Sequence, residues 1–462
     1  MFSPRTKTLI SDLIAFLVSG TSIKLLSFFM VPLYTFFLST EDYAISDLVS
    51  LSVQLAIPLL TLSISDAVLR FGLEQGSDLD SVLGTGLAVT LIGSVTAFPI
   101  CFIVGALTND WWVASSAYLL FLLQGLSSYY AAYFKCVNRV KLMALISSVA
   151  GISIVILNVL FIAVLRLGLH GYWLGNVFGN CIGLGLYLAF GGWRALALLR
   201  KPEQGALRQM LRYSVPLIPN SLFWWINSSM DRFVLTALNT LSFVGLYSAA
   251  SKIPQILSTV SSFFFQAWNI SVFQDFGTEE SASFFKKGFL FISFGSFFVA
   301  GGLIVINAPL ARLLFSGDFF EAWKLVPLLL TGTYVSILNQ FLGSFFTASK
   351  DTKIIFTTTA VGSIVNIILN ILLVIGFGGI GAVVGTLVSY LVVYSARAIK
   401  ISGNYSFLRL SHFAPCCEIA GLCILSMFSM SGAGLFPLGA LFLLMLFLSC
   451  IYLYLSRKTL LH

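Results

Sequence analysis

Charge is scarce in this chain. Only 10% of its 462 residues are Asp, Glu, Lys or Arg, against about a quarter in soluble globular domains, which leaves little room for a soluble domain. Histidine is scarcer still: of the three present, none lies in the interior of an expected span. There is no GxSxG, HExxH or P-loop pattern, so the usual signatures of hydrolase, zinc-peptidase and nucleotide chemistry are missing. The longest outer loop, Asn307 to Lys324, is short, and its strongly polar residues are Asn307, Arg312, Asp318, Glu321 and Lys324. A membrane polymerase or ligase needs a larger loop than that, so no catalytic residue is assigned and no enzyme is expected. The seven cysteines contain no CxxC, and Cys416 and Cys417 are adjacent, which suits neither a bridge nor a zinc site. They read as small apolar residues, with no metal site. Met1 to Lys7 is a short basic leader without a small-residue cleavage site after the first apolar run, so no secretory signal peptide is expected.

What is abundant is apolar. Hydrophobic residues make up 58% of the chain and the mean hydropathy is +0.96. Run length predicts an all-α polytopic membrane protein with about 14 transmembrane helices. Their limits are near 9–37, 43–70, 82–106, 112–134, 142–165, 171–193, 213–238, 243–272, 285–306, 325–347, 354–376, 379–396, 412–431 and 435–455. Several exceed 25 residues, so tilt or kinking is expected. Pro32, Pro58, Pro99, Pro216, Pro219 and Pro254 fall within or near span interiors, where each removes a backbone donor and bends its helix.

The net charge of +8 follows topology. Lys and Arg crowd the loops on one side, from Arg5 and Lys7 through Lys135, Arg139, Lys141 and the 194–212 connection to Arg397, Lys400, Arg409, Arg457 and Lys458. The other side holds only Arg166, Arg312 and Lys324. This roughly sevenfold bias places both termini in the cytoplasm and accounts for most of the basic excess without nucleic acid as a partner.

An internal repeat shapes the domains. Leu142–Gly175 and Ile354–Gly385 each follow a basic loop, carry a late Asn (Asn158, Asn370), then a glycine turn (GLHG, GGIG) and a further glycine four residues on. Spans one to six then match spans seven to twelve in the same orientation, a parallel repeat with a substrate site between the halves. The expected divisions are an N-terminal six-helix bundle over 1–194 and a cytoplasmic linker over 195–212. A C-terminal six-helix bundle follows over 213–400, with two additional transmembrane helices over 401–462.

One stretch concentrates the polar chemistry. RYSVPLIPNSLFWWINSSMDRFVL, from Arg212, is followed by GLYSAASKIPQILSTVSSFFFQAW. Asn220, Asn227 and Asp231 share a helical face with Trp224 between them, while Ser248, Lys252, Gln255, Thr259, Ser262 and Gln266 form a stripe at steps of four and three. Asp231, Arg232 and Lys252 are charges at membrane depth, where an ionisable group faces water or a partner. Interhelical hydrogen bonding or ion pairing that only fixes packing is the competing explanation. In the first half Lys24 lies mid-span, and Asp47, Ser50, Gln54, Thr61 and Ser65 recur at helical spacing before Asp66 and Arg70. Buried cations suit a phosphate-bearing ligand. Trp224, Trp225 and Trp268 offer faces for sugar rings.

These motifs, together with VPLYTFFLSTEDYAISDL at the first span's end and DAVLRF at the second's, resemble the oligosaccharide (Wzx-type) flippases of the multidrug/oligosaccharidyl-lipid/polysaccharide exporter superfamily over nearly the whole chain. Asp42 stands where a glycine is common before the tyrosine opening span two, a departure confined to the turn. The resemblance implies two six-helix bundles facing each other plus two C-terminal spans. It implies export of an undecaprenyl-diphosphate-linked oligosaccharide to the outer leaflet of the bacterial inner membrane by alternating access, for O-antigen or capsule. Polysaccharide polymerase and glycosyltransferases would be its working partners. By position it gives substrate-binding roles to Lys24, Arg70, Arg232 and Lys252, with Asn227, Asp231 and Gln255 beside them. No cofactor is implied; a proton or sodium gradient would couple through Asp47, Asp66 or Asp231. The alternative is a cation-coupled multidrug-type antiporter of the same superfamily.

Overall fold

The structure, a computed structural model, describes residues 28–74, 78–199, 204–275, 279–349, 351–404 and 412–459. All regular structure among them is helical. Eight of the described helices are long and apolar enough to cross a bilayer, so the chain is a multi-pass membrane protein. It forms two compact units, Met1–Trp225 and Ile226–His462.

In the first unit the helix Thr40–Leu60 starts from a capping box: Ser39 Oγ accepts from the Asp42 amide at 3.1 Å, and Asp42 Oδ2 accepts from the Ser39 amide at 3.4 Å. Ser39 and Asp42 therefore satisfy two helix-end donors between them, an arrangement worth about 1 kcal/mol. The expected second span, 43–70, is broken. Pro58 has no amide to give the Gln54 carbonyl, and Leu62 and Ser63 take positive φ (54° and 49°) before a second helix, Ile64–Gly72. That short helix buries Ile64, Ala67 and Val68 against Leu83, Tyr129, Tyr130 and Phe134. Tyr129 fixes the packing by donating its hydroxyl to the Leu83 carbonyl at 2.9 Å.

Two hairpins repeat one device in separate units. In the first unit, Val140–Asn158 continues through a π-helical turn, Val159–Val164, and reverses at Arg166 and Gly168 (φ 52° and 55°) into Gly168–Tyr187. Gly171, Gly175, Gly179 and Gly183, spaced by four, line one stripe of the returning helix. A Cβ on Gly175 would stand 2.4 Å from Asn158 Oδ1, and one on Gly179 2.3 Å from Ile154 Cγ1. Backbones this close gain dispersion that lipid tails cannot supply, the usual reason for small residues at steps of four in membrane helices. In the second unit the run Thr352–Asn404 is roughly 80 Å of helix, far more than one bilayer crossing. Gly378 (φ 57°, ψ −136°) reverses it. Gly381 then meets the Leu373 carbonyl, Gly385 packs on Asn370, and Asn366 donates to Thr386 and Ser389 at 3.1 and 3.3 Å. Spans 354–376 and 379–396 of the sequence reading are the two arms.

The second unit is built round Val326–Ala348, two-thirds buried along its apolar window. Lys252–Asp275, Glu279–Val305, the Thr352–Asn404 hairpin and Phe413–Met430 all pack on it. The expected spans 213–238 and 243–272 are also interrupted. Pro216 sits in a 3-10 turn, Val215–Leu217, ahead of Ile218–Leu238, and the second divides at Ser251 into Leu241–Ala250 and Lys252–Asp275.

Gly179→Leu therefore forces the hairpin apart and costs more than about 1–3 kcal/mol. Gly185→Ala, with nothing within 4 Å of its Cβ position, leaves stability unchanged or raises it by up to about 1 kcal/mol. Thermal unfolding of the two purified variants in detergent distinguishes them.

Candidate functional site

The helix Ile218–Leu238 carries two local sites, one in each unit. Toward its start, Asn220, Ser221, Trp224 and Trp225 line a half-open cavity of about 220 Å³ with Gln54, Leu55 and Pro58. Gln54 and Asn220 bring two amide-bearing residues to its lining. The two tryptophans differ in role. Trp225 is buried, and its indole N–H donates to the Leu51 carbonyl at 3.0 Å. Trp224 is 67% exposed. Trp268, the third candidate for stacking, is buried between Phe284, Phe264 and Phe341, with its N–H on Ser344 Oγ at 3.0 Å. Of the three, only Trp224 keeps an open face. The volume falls below the ~300–1,000 Å³ of drug-sized sites and accommodates one ring with polar edges.

Farther along the same helix, in the second unit, lies a charged cluster. Asp231 and Arg232 side chains are 6% and 12% exposed and pair at 3.3 Å. Asp231 Oδ1 also accepts the Arg232 amide at 2.9 Å, and Oδ2 accepts the Tyr247 hydroxyl. Arg232 Nη1 donates to the Ser228 carbonyl at 3.1 Å, and its guanidinium lies 5.4 Å from the Tyr247 ring centroid. One turn earlier Asn227 Nδ2 donates to Ser363 Oγ at 2.7 Å and to the Thr359 carbonyl at 3.3 Å, while Tyr390 donates to the Asn227 carbonyl at 3.1 Å. Asn227 thus ties Ile218–Leu238 to the hairpin. Asp231 and Arg232 neutralise each other, with Tyr247 as the third member. Removing one partner of so buried a pair strands the other, at about 3–5 kcal/mol.

The remaining sequence-predicted residues are dispersed. Arg70 is exposed at the end of Ile64–Gly72 and pairs with Glu74 at 3.6 Å, not with Asp66 one turn back, which is also exposed. Asp47 is half-buried in Thr40–Leu60. Lys252 is half-buried at the first position of its helix, and Gln255 is exposed one turn on. Lys24 and the Gln266 side chain lie outside the described residues. The polar stripe is unevenly buried: Ser248 and Thr259 are covered while Gln255 is open. Much of its hydroxyl capacity returns to its own helix, Thr259 to the Gln255 carbonyl at 2.8 Å and Ser262 to Thr259 at 2.7 Å.

The structure adds three residues that sequence reasoning missed. Tyr247 carries no local signal, because its partner Asp231 lies sixteen residues away. Arg397, counted there as a loop cation, is 6% exposed, with Nη1 on the Asn339 carbonyl at 2.6 Å, Nε on Thr358 at 3.1 Å and Nη2 on Thr359 at 3.0 Å. Its apolar flank, LVVYSARAI, was the available clue. The third, Glu418, lies in a span to which no chemistry had been given.

Residues 9–269 match the polysaccharide biosynthesis protein family. A curated relative, the probable low-salt glycan biosynthesis flippase Agl15 of Haloferax volcanii, is 23% identical over 248 residues, half of this chain. The chain spans about half, 51%, of that relative's length. Among solved structures, the lipid II flippase MurJ in an inward closed conformation superposes with a TM-score of 0.70 at 14% identity, over 96% of this chain and all of that one. An inward-facing multidrug resistance MATE family transporter of the MOP superfamily gives 0.65 at 15% identity, over 85% of this chain and 98% of that one. At these identities the likeness is one of fold.

The two adjacent tryptophans make opposite predictions. Trp225→Ala removes a buried ring and its hydrogen bond and lowers stability by about 3–5 kcal/mol. Trp224→Ala, at an exposed position, changes it by no more than about 0.5 kcal/mol. Unfolding temperatures of the purified variants check both.

Proposed function

Because the chain belongs to the polysaccharide biosynthesis protein family, we propose that it is a flippase for an undecaprenyl-diphosphate-linked oligosaccharide, moving the headgroup from the cytoplasmic to the outer leaflet by alternating access. The product would feed a surface polysaccharide such as O-antigen or capsule. The observation that carries this reading is where the family match falls. Lys24, Asp47, Asp66, Arg70, Asn227, Asp231, Arg232, Lys252 and Gln255 all lie within residues 9–269, alongside every residue of the Trp224 cavity. The name of the curated relative, a glycan biosynthesis flippase, supports the same substrate class. The location is the bacterial inner membrane with both termini cytoplasmic, the orientation favoured by the loop cations.

In this reading the charged cluster is a switch. While Asp231 is ionised it holds Arg232. A diphosphate offers the guanidinium a better acceptor, since two parallel charge-assisted hydrogen bonds replace one long contact. A proton taken up by Asp231 frees Arg232 for that exchange, and Tyr247 keeps the carboxyl in place through its hydroxyl. The substrate-binding roles that sequence position gives Lys252, Arg70 and Lys24 supply further positive charge, and Gln255 and Asn220 offer amides to sugar hydroxyls. Trp224 supplies the open ring on which a sugar stacks. The lipid tail stays in the bilayer throughout.

A multidrug-type antiporter of the same fold is the second reading. It needs an acidic group available to a cationic drug. Asp231 already has Arg232 as its counter-ion, which favours an anionic cargo.

The test is export in cells lacking the native gene, with variants matched for protein level in the membrane. Arg232→Ala and Lys252→Ala each reduce surface polysaccharide by more than about tenfold, the scale of losing one partner in a desolvated charged contact. Arg232→Lys retains part of the activity, because an ammonium keeps the charge but loses the planar fork. Full export by both alanine variants removes the two cations from the mechanism.

A further inference from the structure

The apolar helix Phe413–Met430 contains one charged side chain, Glu418, and buries it to 4% exposure. It lies well beyond the family-matched residues 9–269. Its Oε2 accepts hydrogen bonds from Ser293 Oγ on Glu279–Val305 and from the Tyr334 hydroxyl on Val326–Ala348. Those two hydroxyls also lie 2.8 Å from each other. Three helices thus meet on one carboxyl oxygen.

The groups around it supply no counter-charge. Among the described residues, no Lys, Arg or His is within ion-pair distance of Glu418. From the Thr352–Asn404 hairpin, Tyr394 comes within electrostatic range, and its hydroxyl bonds His412 Nδ1 at 2.8 Å. Cys416 on the same helix is exposed. From Val326–Ala348 the neighbouring polar group is Thr331, bonded to Ser426 at 3.1 Å. Leu435–Thr459 packs on the same helix through apolar side chains such as Met445, which lies against Gly421. In the segment Gly317–Lys324, Lys324 is engaged by Glu321, and Asp318 adds only negative charge.

A carboxylate only 4% exposed is cut off from bulk solvent, and no cation among the described residues offsets its charge. Two hydroxyl donors offset part of its desolvation, and taking up a proton removes the rest by removing the charge. Ionisable groups in membrane spans mark ion pathways and proton relays, and are functional candidates by default. We propose that Glu418, with Tyr334 and Ser293, forms a proton-binding site in the second unit, loaded when its three helices close and unloaded when they part and admit water. One proton adds to the carboxylate from water, giving the neutral acid, and returns to water on release. The Tyr394–His412 pair adjoins the site: His412 stands at the residue before Phe413–Met430 and is half-buried, and its Nε2 has no hydrogen-bond partner among the described residues. The site supplies a coupling ion apart from Asp47, Asp66 and Asp231.

The test needs no transported substrate, so it stands apart from the flippase reading. Purified full-length protein in lipid nanodiscs is titrated while the infrared carboxyl band is recorded. Wild type shows a protonated-carboxyl band that disappears reversibly as pH rises and is absent from Glu418→Gln. Tyr334→Phe, which removes one donor to the carboxylate, moves that titration upward by about one to two pH units, the equivalent of one hydrogen bond to a charged group. Glutamine keeps the size and hydrogen bonding of the side chain, and Tyr334→Phe provides the second reading where Glu418→Gln does not fold. A band that persists at every pH at which the protein is folded overturns the proposal and leaves Glu418 a helix tie. So does a titration that is the same in wild type and Glu418→Gln, or one that Tyr334→Phe does not move.

Discussion

Within a bilayer a polar group cannot turn to water, so each must find its partner inside the chain. That constraint organises the described structure. Serine and threonine hydroxyls return to carbonyls one turn back on their own helices, as in Thr90 to Gly86, Ser94 to Thr90 and Thr333 to Leu329. Asparagines that cannot do so join helices: Asn158 to Tyr34, Asn227 to Ser363, Asn366 to Thr386 and Ser389. Charges are held more strictly. Arg232 has Asp231, Arg397 has three neutral oxygens, and Glu418 has two hydroxyls.

The three charged arrangements differ in what they permit. Each nitrogen of Arg397 donates to a fixed carbonyl or hydroxyl oxygen, and no carboxylate among the described residues pairs with it, so it behaves as a lock between Val326–Ala348 and the hairpin. Asp231 and Arg232 are mutual partners, and one proton on the carboxylate changes both. Glu418 has no opposite charge beside it among the described residues, so its state depends on local hydration. A transporter needs groups of the second and third kind, since only these couple a change in charge to a change in packing. The glycine stripe and the lock provide the rigid background against which such a change registers.

Much of this was legible in sequence. Apolar run length locates the helical segments, and the late asparagine followed by a glycine turn marks both hairpins, because a reversal at positive φ and a backbone contact each demand small residues. Breaks inside spans were legible only in part. Pro58 announces a weakened helix, but the two left-handed residues that divide it, Leu62 and Ser63, have no compositional mark. Side-chain direction was the main loss. In a membrane helix the lipid-facing and core-facing sides are both apolar, so periodicity cannot tell Trp224 from Trp225, or an exposed Gln255 from a buried Thr259. Arg397 was misread because a cation near a helix end looks the same whether it enters the loop or turns back into the bundle. Tyr247 and Glu418 depend on partners far away in sequence, and no local spacing reveals them.

The account stands or falls on an anionic, lipid-borne glycan crossing the membrane through this chain. The direct measurement places the purified protein in liposomes containing undecaprenyl-diphosphate-linked oligosaccharide and follows the headgroup's exposure to a membrane-impermeant lectin. With the protein present, headgroups initially on the far leaflet become accessible, and Arg232→Ala slows their appearance. Headgroups that stay sequestered in liposomes whose reconstituted protein does drive uptake of a cationic drug would contradict the account and identify an antiporter instead.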